Sequence, residues 1–176
     1  MQDNRKQLPP PEMEPDTPLW RFALVFWKYP GIESTCLALQ GKGWNVTQIL
    51  GACWLTITGQ KYSGHESDTV TEWRTHVTEP LRSARQFLPR HNPVTDRLRA
   101  SIAANELEAE RIELALTYQS LANTQQESAG MYGFEQLARI NLQAAAPETV
   151  MDAKTGQLLD ALTHGLMAFS AGAQGE

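Results

Sequence analysis

Cysteine is scarce in this chain. Two occur, Cys36 and Cys53, each inside an apolar stretch. Two thiols make no disulfide framework, and without histidine at ligand spacing they make no zinc site. Both are expected as buried free thiols. Long hydrophobic runs are missing too. The densest, LWRFALVFW, covers nine residues and contains Arg21, so it cannot span a bilayer. The N-terminus lacks a basic-then-apolar leader pattern. A cytoplasmic protein without membrane insertion is expected. There is no glycine-rich phosphate loop followed by lysine, no dinucleotide fingerprint and no nucleophile elbow. These absences lower the expectation of catalysis, and no catalytic residue, cofactor or metal is expected.

Basic residues are unevenly distributed. Residues 101–176 hold three Lys and Arg against ten Asp and Glu, whereas residues 1–100 hold twelve against ten. A mildly basic half and an acidic half can attract one another within one fold. The formal net charge of −5 serves solubility and names no partner.

What is present has helical periodicity. Residues 1–17 carry Pro9, Pro10, Pro11 and Pro15 among polar residues and are expected to be a disordered tail. A single helical domain is expected over 18–170, with 171–176 as a frayed end. Thr17-Pro18 reads as an N-cap followed by proline at the first helical position. The helix over about 18–28 is apolar on nearly every side and is expected to be buried all round. Tyr29-Pro30-Gly31 then breaks it, because proline disfavours helix at the preceding residue and glycine relieves the backbone. Further helices are expected over about 32–42, 45–58, 68–88 with a kink at Pro80, 93–121, 134–145 and 148–170. The segment ITGQKY (57–62) can open a short hairpin, but the alternation flanking it is weak and a loop is expected there. The pattern predicts an all-α compact bundle of six or seven helices with an aromatic-rich first helix. All five tryptophans lie between 20 and 73, which places the densest core in the N-terminal helices.

Four groups of residues can carry chemistry. His65, Asp68, Glu72 and His76 are spaced 3, 4 and 4 apart, a side that can hold a divalent cation, but a solvated helix face with a helix-start carboxylate at Asp68 is the expected reading. Arg74, Arg82, Arg85, Arg90, Arg97 and Arg99 meet only Glu79 and Asp96 across 73–99. Such a face suits an anionic ligand or nucleic acid. The alternative is internal pairing with Glu106, Glu110 and Glu113. Glu106, Glu108, Glu110 and Glu113 lack the following histidine of bundle metal sites, so an exposed carboxylate face is expected there. Tyr29, Gln40 and Trp73 sit in apolar context, where they tie elements together or line a pocket.

The stretch LWRFALVFWKYPGIESTCLALQGKGWNVTQILGACWL, followed by EWRTHVTEPLRSAR, resembles a family of small proteobacterial proteins with no known function. Its Trp-x-Phe-Ala start, Tyr-Pro-Gly break, Cys-Leu-x-Leu-Gln run, Trp-Arg and Pro-Leu-Arg correspond here to Trp20, Phe22, Ala23, Tyr29, Pro30, Gly31, Cys36, Leu37, Leu39, Gln40, Trp54, Trp73, Arg74, Pro80, Leu81, Arg82 and Arg85. The resemblance implies no activity. The residues point to a non-catalytic interaction or regulatory protein, with Arg74, Arg82 and Arg85 contacting an anionic ligand, an acidic protein or a nucleic acid. A second reading is a small-ligand-binding protein or enzyme whose pocket is walled by the tryptophan-rich helices and touches Tyr29, Gln40 or Trp73. A homodimer using a spare stripe of the long helix is a third.

Overall fold

The computed structural model describes residues 8–124, 127–148 and 151–173. Eight α-helices account for most of these: α1 (Pro18–Trp27), α2 (Ile32–Gln40), α3 (Val46–Ile57), α4 (Asp68–Trp73), α5 (Glu79–Phe87), α6 (Asp96–Asn123), α7 (Phe134–Ala144) and α8 (Ala153–Ala173). A π turn, Arg74–Thr78, joins α4 to α5 without a break. The all-α bundle expected from periodicity is the fold.

The helix ends follow local chemistry. Thr17 Oγ1 accepts a hydrogen bond from Trp20 N at 3.1 Å, and Pro18 fills the first helical position. Asp152 caps α8 by accepting from Thr155 N and Thr155 Oγ1, both at 2.7 Å, while Lys42 Nζ donates to its other oxygen. These donors hold the Asp152 carboxyl well below the usual carboxylate range, Lys42 being the largest cause. The helix therefore begins at Ala153 rather than near 148; Val150, expected on its apolar stripe, lies outside the described residues.

The first helix corrects the expectation that it is buried all round. Leu19, Phe22, Ala23 and Phe26 enter the core, but Leu24 is 43% exposed and Val25 60%. Apolar composition alone does not report how many neighbours a helix has. Here α1 packs on α2, α3 and α6 and against Phe169 of α8, and the side carrying Leu24 and Val25 stays open. The Tyr29-Pro30-Gly31 corner does turn the chain back. Gly31 takes φ 81, and its carbonyl accepts from Thr35 N, Thr35 Oγ1 and Ser34 Oγ in the first turn of α2. Ile32, next along, is buried, and its Cδ1 lies 2.7 Å from where a Cβ on Gly165 would stand. Phe169 of α8 then sets its edge against Phe22, Phe26 and Tyr29, with centroids 5.2–5.8 Å apart.

Both cysteines are free and buried in this core. Burial pushes the Cys36 thiol up to about 12, and burial next to Cys36 raises Cys53 as well.

One short antiparallel ladder pairs β1 (Gln60–Lys61) with β2 (Glu127–Ser128). Its first strand falls in ITGQKY, the segment that can open a local hairpin, but its partner comes from a loop far along the chain, which leaves no local pattern. Asn141 on α7, fully buried, anchors this region: its Oδ1 accepts from Tyr62 N at 2.7 Å, and its Nδ2 donates to Thr56 Oγ1 and Gln60 O.

A Cβ at Gly31 would touch nothing within 4 Å, so only its left-handed backbone restricts substitution. Gly31→Ala should therefore cost about 1–2 kcal/mol of stability in urea unfolding, with the m-value unchanged.

Candidate functional site

Proline at position 80 has no N–H to give, and its ring crowds the carbonyl four residues earlier. The chain absorbs this by widening into the π turn, and Pro80 stands in the first turn of α5, the fresh first turn expected at that residue, with no break in the chain's helical path. Arg74 opens that turn and points inward. It is 6% exposed. Its Nε donates to Glu113 Oε1 at 2.7 Å, and its Nη1 and Nη2 grip the two oxygens of Glu66 at 2.7 and 2.6 Å. Nη2 also donates to Thr47 Oγ1 at 3.0 Å, and that hydroxyl donates to Glu113 Oε1 at 2.5 Å. Four chain segments thus meet at one guanidinium. Burial by itself would lower the Arg74 pKa, but the hydrogen bonds to Glu66 and the charges of Glu113 and Glu66 outweigh it and the net shift is upward.

Two further arginines repeat the arrangement along α6. Arg82 donates from Nε to Glu106 Oε1 at 3.1 Å and from Nη2 to Glu110 Oε1 at 2.8 Å. Arg85 engages both oxygens of Glu106 through Nε and Nη2. Glu106 and Glu113 are buried, at 5% and 1% exposure, and Glu110 is half-buried. Of the two readings of the arginine cluster, internal pairing with Glu106, Glu110 and Glu113 holds for Arg74, Arg82 and Arg85, and the exposed carboxylate face expected at 106–113 is corrected. Each of Arg74, Arg82 and Arg85 is paired with Glu106, Glu110 or Glu113, because residues 106, 110 and 113 share one side of α6 and that side faces the π turn and α5. Only Glu108 of the four carboxylates remains exposed.

This ion-pair ladder forms one wall of a pocket of about 370 Å³. The facing walls are apolar: Trp20, Leu24 and Trp27 from α1, Leu37 from α2, Val46 and Leu50 from α3, Ala103, Leu107 and Leu114 from α6. Gln40, Asn45 and Lys28 add polar groups. The open side of α1 is thus a pocket wall, set by the spacing of Trp20, Leu24 and Trp27. Arg111 reinforces it, its Cζ lying 5.9 Å from the Trp20 ring centroid. Of the expected site residues, Arg74, Arg82, Arg85 and Gln40 converge here. Tyr29 and Trp73 do not line it. Tyr29 packs on Phe169, and Trp73 Nε1 donates to Ala109 O at 2.9 Å, docking α4 on α6. Trp20, Trp27 and Leu24 were not named individually from sequence, where a pocket walled by the tryptophan-rich helices is the second reading.

Spare polar capacity remains at the pocket. Among the described residues, Nη1 of Arg82, Nη1 of Arg85 and the Lys28 ammonium have no hydrogen-bond partner. Glu113 Oε2 is buried and unpartnered. Burial raises the Glu110 carboxyl above the ordinary glutamate range; Arg82 opposes this, and Glu106 and Glu113 add to it. Elsewhere, His65, Glu72 and His76 are not drawn together: His76 Nδ1 meets Glu72 O, and among the described residues no three metal-ligating side chains converge.

A folded-state pKa raised above the unfolded one contributes stability below the unfolded value that is lost as pH rises through the folded value. The unfolded value for Glu110 is about 4.5. Glu110→Gln, which keeps an acceptor for Arg82, should therefore flatten the stability–pH profile above that point and leave the protein relatively more stable near neutrality. Urea midpoints measured from mildly acidic to neutral pH for both proteins check this.

No curated protein and no solved structure matches the chain. The profile of one family, described as protein of unknown function DUF2390, matches residues 18–116. That span contains α1 to α5, the π turn and most of α6, and so every residue of the pocket wall named above. On that match, the chain belongs to the DUF2390 family.

Proposed function

We propose that this protein binds a small amphipathic molecule, with an apolar body and one anionic end, in the pocket between α1, α3 and the α5–α6 pair. The single observation that carries the reading is the pocket's make-up: a largely apolar cleft of about 370 Å³, open to solvent, with a fixed charged wall on one side. Small-ligand sites combine these features, an apolar body for affinity and a few placed polar groups for orientation. The indoles of Trp20 and Trp27 and the side chains of Leu24 and Leu37 would take the apolar body.

The choice of an anionic end rests on the unengaged donors. Lys28 and the Nη1 groups of Arg82 and Arg85 offer cationic N–H groups, while Glu106 has both oxygens engaged. The reading joins two features of the sequence, arginine excess and aromatic helices, in one site. It disfavours an arginine surface that grips a macromolecule, because those guanidinium groups are held by glutamates from within the fold.

The probe for this reading is 8-anilinonaphthalene-1-sulfonate, an aromatic body with one sulfonate. It should bind the folded protein saturably at one site, with energy transfer from tryptophan to the bound dye. Ala103→Trp, which fills the pocket, should abolish that site while leaving the near-UV spectrum native. Lys28→Glu should weaken it roughly tenfold, about 1.4 kcal/mol. Absence of saturable binding, or binding unchanged by Ala103→Trp in a folded protein, would overturn the reading.

A further inference from the structure

The hairpin made by α5 and the start of α6 leaves the body of the bundle. Helix α5 contains no buried residue, and the first buried position of α6 is Glu106. From 86 to 105 no residue is buried, so this end stands clear of the core. Soluble surfaces carry single exposed apolar side chains without consequence, but here three gather at one end. Phe87 is 87% exposed, Val94 89% and Leu98 54%.

The same end is basic in a chain whose net charge is −5. Arg90, Arg97 and Arg99 form no ion pair among the described residues, unlike Arg74, Arg82 and Arg85. Asp96 is the sole carboxylate between 80 and 105, and its Oδ1 accepts from Asn92 N at 3.0 Å. Arg90, His91 and Arg99, with the Asp96 carboxyl among them, line a shallow hollow of about 350 Å³. Arg99 Nε there is shut from solvent and has no hydrogen-bond partner. His91 stands at φ 59, so the loop that presents Arg90 is held in a tight left-handed turn.

The shape of the patch selects the partner. Its apolar side chains come from the end of one helix, a loop and the first turn of the next helix. They do not form a stripe along one helix, which is what a groove on another protein would accept. A projecting end with apolar tips and unpaired arginines fits a broad, negatively charged, deformable surface instead. We infer that the outer end of the α5–α6 hairpin docks on an anionic phospholipid surface, with Phe87, Val94 and Leu98 entering the headgroup boundary and Arg90 and Arg99 taking a lipid phosphate. The contact is peripheral, because among the described residues no helix is long and apolar enough to cross a membrane. It is separate from the ligand pocket, whose wall uses Arg82 and Arg85.

The full chain is mixed with vesicles of phosphatidylcholine alone, or of phosphatidylcholine and phosphatidylglycerol in equal parts, and sedimented. It should co-sediment with the second and not the first, and lose binding as salt rises. The double change Arg90→Glu with Arg99→Glu should weaken binding by roughly tenfold or more, and so should Phe87→Ser with Val94→Ser. These side chains are exposed or half-exposed, so circular dichroism should show both variants folded. Three outcomes would overturn the inference: no difference between the vesicles, equal binding by folded variants, or capture by soluble polyglutamate or inorganic phosphate while anionic vesicles fail to bind.

Discussion

The buried Arg74–Glu113 pair is the constraint on which the N-terminal two-thirds of the structure depends. A guanidinium shut away from water is tolerable only when its donors are met, and here Glu113, Glu66 and Thr47 meet them from α6, the loop before α4, and the start of α3. The pairing fixes where the π turn must lie. The π turn in turn brings α5 alongside α6, so that Arg82 and Arg85 reach Glu110 and Glu106. The charged wall of the pocket is therefore a consequence of one deep contact repeated at shallower positions. Exposure rises along the ladder from Arg74, at 7% of its side chain, to Arg82 at 19% and Arg85 at 24%.

The other wall follows from the first helix. Ten residues that are nearly all apolar serve two surfaces, one buried against Phe169 and α3, the other presented to the pocket by Trp20, Leu24 and Trp27. Aromatic side chains suit this double duty, since they contribute large contact area at low conformational cost. The Tyr29-Pro30-Gly31 corner lets α2 return immediately beneath α1, bringing Leu37 and Gln40 to the same space. Pocket, ladder and corner are thus parts of one arrangement within the span that the family shares.

Helix positions were legible because each carries its own periodicity and punctuation: Thr17-Pro18, Gly31, Asn45 and Asp68 all mark real beginnings. The π turn was not, because proline announces a disturbance without saying how the chain will absorb it. The β1–β2 ladder was hidden since pairing between distant loops leaves no local pattern. At the site, the spacing of Glu106, Glu110 and Glu113 against Arg74, Arg82 and Arg85 was readable as complementary. Which way that pairing faced was not, because sequence charge does not distinguish a solvated face from a buried ladder. Leu24 and Val25 show the converse ambiguity, for composition cannot separate a core contact from a lining or exposed position.

A double-mutant cycle on Arg74→Met and Glu113→Leu tests the central pairing most directly. Arg74→Met leaves both Glu113 and Glu66 without their cation and should cost about 3–5 kcal/mol. Glu113→Leu leaves Arg74 held by Glu66 and should cost less. The double change, which leaves only Glu66 without its partner, should cost much less than the sum of the two. A coupling of about 2 kcal/mol or more is the predicted result. Costs that add to within about 0.5 kcal/mol would mean the two side chains do not depend on one another, and would contradict the account.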